Sequence, residues 1–274
     1  MKKKHSTLSN KIFLLFFILL LLNIHKLFAQ QAIWTGISNN QWTLASNWNP
    51  SVVPSTMSSV IIPNGTPNQP TLNTSNIIVD SITIQAGATF NLGTMGSIVN
   101  VTVLRVNGTL NFNTIVANTV NVAGDFSGTG TVIMGGAGIA HVLNLSGANN
   151  NIATLNTTGN TNSQIHYNGT VAQSVFVSPN YRILSIDNSS VKTLTGVGLC
   201  TVNQTFNVTA GATFSMGNSP TPPSLSTASA GSFATTINAG CTFDFGTVSP
   251  KTVTIGTAAG GNFTCNGTLN MAGI

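Results

Sequence analysis

One stretch of the chain, Phe206-Asn-Val-Thr-Ala-Gly-Ala-Thr-Phe-Ser-Met-Gly217, decides the fold because it recurs along the sequence. Full, shortened and degenerate copies lie at residues 82–93, 235–246, 104–112, 263–271 and 120–126. Internal repetition on this scale is typical of architectures in which each repeat is one structural unit that stacks on its neighbour.

Each copy alternates strictly between apolar and polar residues. In the quoted stretch Phe206, Val208, Ala210, Ala212 and Phe214 share one face, and the residues between them are polar or glycine. A period of two indicates a strand with one buried face. The glycine in the middle of each copy is expected to supply the backbone freedom that a bend requires.

The spacing of the repeat glycines predicts how the strands are arranged. Most gaps between neighbouring glycines are about 20–30 residues, which fits one coil of a parallel β-solenoid. The longer gap between Gly169 and Gly211 predicts two coils, with a bend that lacks glycine near Asp187 and Asn188. We predict an all-β, right-handed parallel β-solenoid. Antiparallel β-sandwich domains remain the alternative, although their turns recur every 8–12 residues. The repeat glycines are Gly87, Gly108, Gly124, Gly147, Gly169, Gly211, Gly240 and Gly267.

Residues 1–29 are predicted to be a signal peptide. A cluster of lysines precedes an apolar run over residues 12–22, and Ala29 provides the small residue that signal peptidase needs. The apolar run is too short to cross a membrane, for which about 20 residues are required. The protein is therefore expected to be secreted or on the outer cell surface, with no membrane span after cleavage.

Removal of that peptide changes the charge balance. Five of the nine basic residues lie within residues 1–29, so four remain against four aspartates, and the chain has no glutamate. Nucleic-acid binding needs clustered lysine or arginine side chains, which the remaining four do not form. Nucleic acid is excluded as a main partner. The remaining charged residues are Arg105, Arg182, Lys192, Lys251, Asp80, Asp125, Asp187 and Asp244.

Three tryptophans, Trp34, Trp42 and Trp48, lie close together in residues 30–65. They predict an N-terminal cap that closes the first coil, followed by solenoid repeats over residues 66–274 with a proline-rich loop near residues 218–224. The alternative is an aromatic platform that contacts a glycan, because indole presents a large flat apolar face.

The other side chains offer little chemistry. Catalysis by paired carboxylates needs two acids at one site, and the four aspartates are dispersed. Neither His141 nor His166 has a partner at metal-ligand spacing, and both are expected in exposed or turn positions. The sequence predicts no cofactor and no catalytic activity. Of the three cysteines, Cys241 and Cys265 would form a disulfide if they stacked on adjacent coils; small buried apolar residues are the alternative.

Two segments resemble a known class of exported proteins. Ile33-Trp-Thr-Gly36, Asn40-Gln-Trp42 and Ser46-Asn-Trp48 resemble the start of large Bacteroidetes surface proteins, and Tyr181-Arg-Ile-Leu-Ser-Ile and Lys192-Thr-Leu-Thr-Gly196 are similar to their repeats. The resemblance implies an adhesin-like or autotransporter-like β-solenoid exported by type IX secretion. Such proteins end in a sorting domain that is missing here, which suggests that the chain is truncated. The resemblance also implies O-glycosylation at Ser81, within Asp80-Ser-Ile82.

These observations predict a structural or adhesin-like surface protein whose partners are glycans or a neighbouring cell. A carbohydrate-binding or carbohydrate-active β-helix module is the alternative. A third hypothesis, an ice- or crystal-binding face, comes from Thr252-Val-Thr-Ile-Gly-Thr257.

Overall fold

The computed structural model describes residues 30–113, 115–218, 223–227, 234–247, 252–255 and 262–271. These residues form a parallel β-solenoid of about nine turns, which confirms the predicted fold class over the antiparallel sandwich. The predicted signal peptide lies outside the described residues, as do residues 219–222 of the proline-rich loop. Within the described residues, no helix is long and apolar enough to cross a membrane.

The strands are short and follow one another with few residues between them. In chain order they are β1 (Gln30–Trp34), β2 (Trp48–Asn49), β3 (Ser58–Ile62), β4 (Thr71–Leu72), β5 (Asn76–Ile84), β6 (Thr89–Leu92), β7 (Ile98–Val106), β8 (Thr109–Asn111), β9 (Thr119–Val122), β10 (Phe126–Ser127), β11 (Thr131–Ile133), β12 (Val142–Leu145), β13 (Thr154–Asn156), β14 (Gln164–Tyr167), β15 (Gln173–Phe176), β16 (Tyr181–Ile186), β17 (Val191–Thr195), β18 (Leu199–Val208), β19 (Thr213–Ser215), β20 (Ser224–Thr227), β21 (Ala234–Ile237), β22 (Thr242–Asp244), β23 (Val253–Ile255), β24 (Asn262–Cys265) and β25 (Thr268–Asn270). A single turn of 3-10 helix spans Ala45–Asn47.

The pairing register sorts the strands into three faces. The first face contains the first halves of β5 and β7, then β9, β12, β14, β16, the second half of β18, β21 and β24. The second face contains β1, β3, the second halves of β5 and β7, and β10, and then β15, β17, β19, β22 and β25. The third face contains β4, β6, β8, β11 and β13, and then the first half of β18, β20 and β23.

Alternation within each strand puts one row of side chains into a continuous core. Val60, Ile82 and Leu104 are in register on three successive coils and are almost fully buried. Because each coil covers the apolar row of its predecessor, every such residue contributes roughly 1.5–3 kcal/mol that a single coil could not provide alone.

Of the five residues predicted to share the buried face of the repeat at residues 206–217, four do so. Phe206, Val208, Ala212 and Phe214 are buried, but Ala210 is exposed with φ +53°. Ala210 and Gly211 (φ +74°) both have left-handed backbone in the turn between β18 and β19. A turn of this kind interrupts the pleat, so the period of two begins again after it.

The long gap between repeat glycines does hold two coils, as predicted. β14, β16 and the second half of β18 pair in succession on the first face. At the bend without glycine, Asn188 adopts φ +68°. Asparagine is one of the few residues that tolerate this left-handed conformation, so it replaces glycine there.

The solenoid begins earlier than the predicted boundary at residue 65. Strand β1 already pairs in parallel with β3, and β3 with β5, while β2 folds back antiparallel on β1. The segment predicted as a cap therefore includes the first coils of the stack.

Candidate functional site

The three tryptophans form a buried cluster at the start of the core. Trp34 and Trp42 are 0 % exposed and Trp48 is 2 % exposed. Trp48 contacts both of the others edge-on, with ring centroids 5.0 Å from Trp34 and 4.7 Å from Trp42. The glycan-contact hypothesis is corrected by this burial, because no indole face is open for a sugar ring to stack on.

Hydrogen bonds hold two of the three indoles in place. Trp34 Nε1 donates to the Asn68 carbonyl (2.6 Å) and Trp48 Nε1 to the Trp42 carbonyl (2.7 Å). The buried Asn47 side chain accepts from two backbone N–H groups of the preceding loop and donates to Gln41 O. The cluster is thus packed into the first coils of the core, where Trp42 stacks on Phe90 with ring centroids 5.0 Å apart. Its role as a cap stays a prediction.

The cysteines are all free in this structure. Cys265 is in register with Ile237, not with Cys241, so the alignment on which the disulfide was predicted is absent. The reason is that Cys241 follows the turn after β21, whereas Cys265 lies within β24. Cys200 is buried, and burial raises the pKa of its thiol to about 12. A thiol with so high a pKa is a poor nucleophile.

Ser81 and the predicted threonine motif lie on different faces of the solenoid. Ser81 lies on the outer side of the second face, where its hydroxyl is 2.8 Å from that of Ser59, and its glycosylation stays a prediction. In the predicted threonine motif, Thr254 is in register with Ser226, while residues 256 and 257 lie outside the described residues. An in-register threonine row occurs instead on the third face, formed by Thr89, Thr109, Thr131 and Thr154.

The first face carries a ladder of asparagines that sequence reasoning missed. Asn144 Nδ2 donates to Asn121 Oδ1 (2.7 Å), Asn121 Nδ2 to Asn100 Oδ1 (2.8 Å), and Asn100 Nδ2 to Asn76 Oδ1 (3.1 Å). The signal was present in the sequence, because residues 99–101, 120–122 and 143–145 each have asparagine between two aliphatic residues. The asparagine ladder consists of Asn76, Asn100, Asn121 and Asn144.

A shallow groove of about 390 Å³ lies along this asparagine ladder. One side is formed by Ile78 and by three of the ladder asparagines, Asn100, Asn121 and Asn144. The other side lies at the bend that follows these strands, where Ser146 Oγ donates to Asn168 Oδ1 (2.7 Å). None of the lining side chains is ionisable. They are Ile78, Val79, Asn100, Val101, Thr102, Asn121, Val122, Ala123, Asn144, Ser146 and Asn168.

A hydrogen-bonded histidine–aspartate pair lies next to the groove, because His166 is on the coil that also supplies Asn168 to the lining. His166 is in register with Asn144, and its Nδ1 is 2.9 Å from Asp187 Oδ2. The other ring nitrogen is 3.1 Å from Gln164 Oε1, and Thr209 Oγ1 donates to the second oxygen of Asp187. A His–Asp pair can activate a nucleophile only if the second ring nitrogen faces that nucleophile, and here Gln164 occupies that position.

Partial burial alone would raise the pKa of the Asp187 carboxyl. The hydrogen bonds from His166 and Thr209, together with the charges of His166 and Lys192, outweigh it and hold the pKa below its ordinary value. The ionised carboxylate therefore stabilises the folded protein, and its hydrogen bonds link neighbouring coils. Asp187 is consequently not a free acid.

Lys192 is an inward-facing lysine at a corner of the solenoid. It is fully buried, and its Nζ donates to the carbonyls of Gly169 (2.8 Å) and Asn188 (3.2 Å) and to Ser190 Oγ. Burial lowers the pKa of the ammonium group, and the Asp187 charge opposes that change. On the preceding coil Gln173, in register with Lys192, likewise donates to backbone carbonyls. Both side chains therefore bind backbone carbonyls at the bends and link one coil to the next.

The two histidines differ in burial. His166 is part-exposed, but His141 is fully buried, contrary to the expected exposed or turn position. His141 Nδ1 accepts the Asn118 backbone N–H (3.1 Å), and Nε2 is 3.0 Å from the Gly135 carbonyl. Burial lowers the pKa of His141, which keeps the ring neutral and in the Nε2–H form that these two contacts require.

Within the described ranges, no three histidine, cysteine or acidic side chains come close enough to hold a metal ion. Comparison of the chain with known protein families, with curated proteins and with solved structures found no match. The candidate functional site is therefore defined by geometry alone, as the groove along the asparagine ladder.

The Asp187 interactions predict a pH dependence of stability. Because the folded pKa is lowered, the stabilisation is complete above about pH 4 and is lost as pH falls through the folded pKa. Asp187→Asn should cost about 1–3 kcal/mol at pH 7 and progressively less below pH 4. Thermal unfolding between pH 2 and pH 7 measures this.

Thr209→Val is the matched control, since it removes one of the two side-chain donors to Asp187 and should give a smaller loss with the same pH trend. A penalty for Asp187→Asn that is equal at pH 2.5 and pH 7 would contradict this account.

Proposed function

We propose that the protein is a secreted or cell-surface structural scaffold of the adhesin-like kind, without catalytic activity. The observation that carries this proposal is the combination of one continuous apolar core with outer faces on which most of the polar residues are uncharged. About nine coils at ~4.8 Å each give a stack ~40 Å long, so the fold provides reach and a repeated surface.

The contacts of four ionisable side chains support a structural role. His141 and Lys192 are buried and bound to backbone groups, and His166 and Asp187 bind each other and their neighbours. General acid–base catalysis needs a titratable group that can reach substrate with a proton to give or accept. In the described part of the chain these four side chains are engaged in holding coils together.

Localisation and attachment in producing cells test the proposal. Externally added protease or antibody should reach the protein on intact cells, and deletion of its gene should reduce attachment to surfaces or to other cells. Restoring the gene should restore attachment. Retention of the protein inside intact cells, or unchanged attachment after deletion, would argue against the proposal.

The absence of catalysis has its own assay. The purified protein, incubated with a panel of neutral and acidic polysaccharides, should release no reducing ends and no unsaturated products. Product release that stays with the protein through successive purification steps would overturn the non-catalytic assignment, and its loss in Asp187→Asn or His166→Ala would place the chemistry at that pair.

A further inference from the structure

The groove beside the asparagine ladder has hydrogen-bonding capacity that the protein does not use. A primary amide offers two N–H donors and an oxygen with two lone pairs. Asn121 donates once to Asn100 and accepts once from Asn144, and Asn100 donates once to Asn76 and accepts once from Asn121. Each of these two amides therefore keeps one donor and one acceptor for a molecule outside.

The ladder also orients these groups. Because every Nδ2 donates in the same direction along the stack, the amide planes are fixed, and the spare donors and acceptors repeat with the coil spacing of ~4.8 Å. A ligand that binds them loses little to reorganisation of the side chains. Beside them, Thr102, Ser146 and Asn168 add polar groups, and Ile78 adds an exposed apolar surface.

The chemistry of the lining selects the class of ligand. No lining side chain is ionisable, so an acidic or basic ligand would lose hydration without gaining a counter-charge. A purely apolar ligand would leave the amides unpaired. An extended peptide cannot add as a strand, because the backbone groups of β7, β9 and β12 already pair with neighbouring coils. Vicinal hydroxyls on an uncharged sugar, each both donor and acceptor, match the spare amide groups.

We propose that this groove binds an uncharged linear oligosaccharide, with Asn100, Asn121 and Asn144 as its principal hydrogen-bonding residues. The inference rests on the proposed surface function, since it names the class of partner that the scaffold would hold. The site is on the first face and is separate from the buried tryptophans. Its volume of about 390 Å³ is at the small end of ligand sites, which range over about 300–1,000 Å³.

The experiment is calorimetric titration of the purified protein with neutral oligosaccharides (β-1,4- and β-1,3-glucans, xylan and mannan fragments) and with acidic ones (oligogalacturonate and oligoalginate). At least one neutral probe should bind and the acidic probes should not. Asn121→Leu, which removes the central amide, should weaken binding by about tenfold or more. Asn121→Ser, which disturbs packing less, should also weaken it.

Asn111→Leu is the matched control, because Asn111 donates to Asn91 (3.1 Å) in the same manner but on the third face. It should leave affinity unchanged. Absence of binding to every neutral probe, tighter binding of an acidic probe, or equal effects of Asn121→Leu and Asn111→Leu would each overturn the inference. None of these results bears on surface localisation or attachment, so the scaffold proposal is tested separately.

Discussion

Replacing Trp48 with alanine should lower the free energy of unfolding by about 3–5 kcal/mol, the loss typical of removing a buried aromatic side chain. Trp48 is 2 % exposed, contacts the rings of Trp34 and Trp42, and donates a hydrogen bond to the Trp42 carbonyl. The change leaves a cavity between two remaining indoles and an unpaired buried carbonyl. Denaturant unfolding followed by circular dichroism measures the loss.

Trp48→Phe is the control, since it keeps an aromatic ring and removes only the indole donor and part of the volume. It should cost clearly less than Trp48→Ala. If Trp48→Ala leaves stability unchanged but abolishes a response of tryptophan fluorescence to glycans, the cluster is a binding platform and its assignment to the core is wrong.

Replacing Gly147 with alanine should destabilise the protein by about 3 kcal/mol or more, because the new methyl group has no room between two coils. A Cβ atom at Gly147 would lie 1.8 Å from the Gly124 carbonyl oxygen and 2.1 Å from its carbonyl carbon. The obstacle is backbone, which cannot rotate away, so the coils must separate. The Gly147 carbonyl also accepts from Asn150 and Gln173, whose hydrogen bonds would move with it.

Gly138→Ala separates this crowding from conformational strain. Gly138 has φ +71°, but a Cβ there would meet nothing within 4 Å. Its substitution should therefore cost only about 1–2 kcal/mol, the penalty for a left-handed residue with a side chain. Thermal and denaturant unfolding of both variants should rank Gly147→Ala well below Gly138→Ala; the reverse order would show that coil stacking is looser here than the geometry indicates.

The repeat pattern predicted much of the fold because its cause is local. Successive side chains of a strand point to opposite sides, so the alternation around Phe206 and Phe214 reports which of them face inward. The same local logic fails at Ala210, where the turn backbone interrupts the pleat. It also could not separate the two roles of the repeat glycines. Gly211 has left-handed backbone at a turn, whereas Gly147 is required by the close approach of another coil.

The candidate site could not be predicted from the sequence, because it is formed by contacts between residues of different coils. His166 and Asp187 are 21 residues apart, and Asn121 and Asn144 are 23 apart. Which residues meet depends on the length of each coil, and this length varies: Leu145 is in register with Tyr167, 22 residues on, but Tyr167 is in register with Ile186, 19 residues on. Loops set these lengths, and no local pattern reveals how many residues a loop will use.

The sequence by itself determined that the chain is a stack of β coils, since strand alternation and repeat spacing arise from short-range geometry. Only the tertiary structure decided that the tryptophans are enclosed, that Cys241 and Cys265 are out of register, and that four asparagines from successive coils form one ladder beside a groove. These outcomes depend on how coils of unequal length align, and that alignment is fixed by packing of the whole core rather than by any one segment.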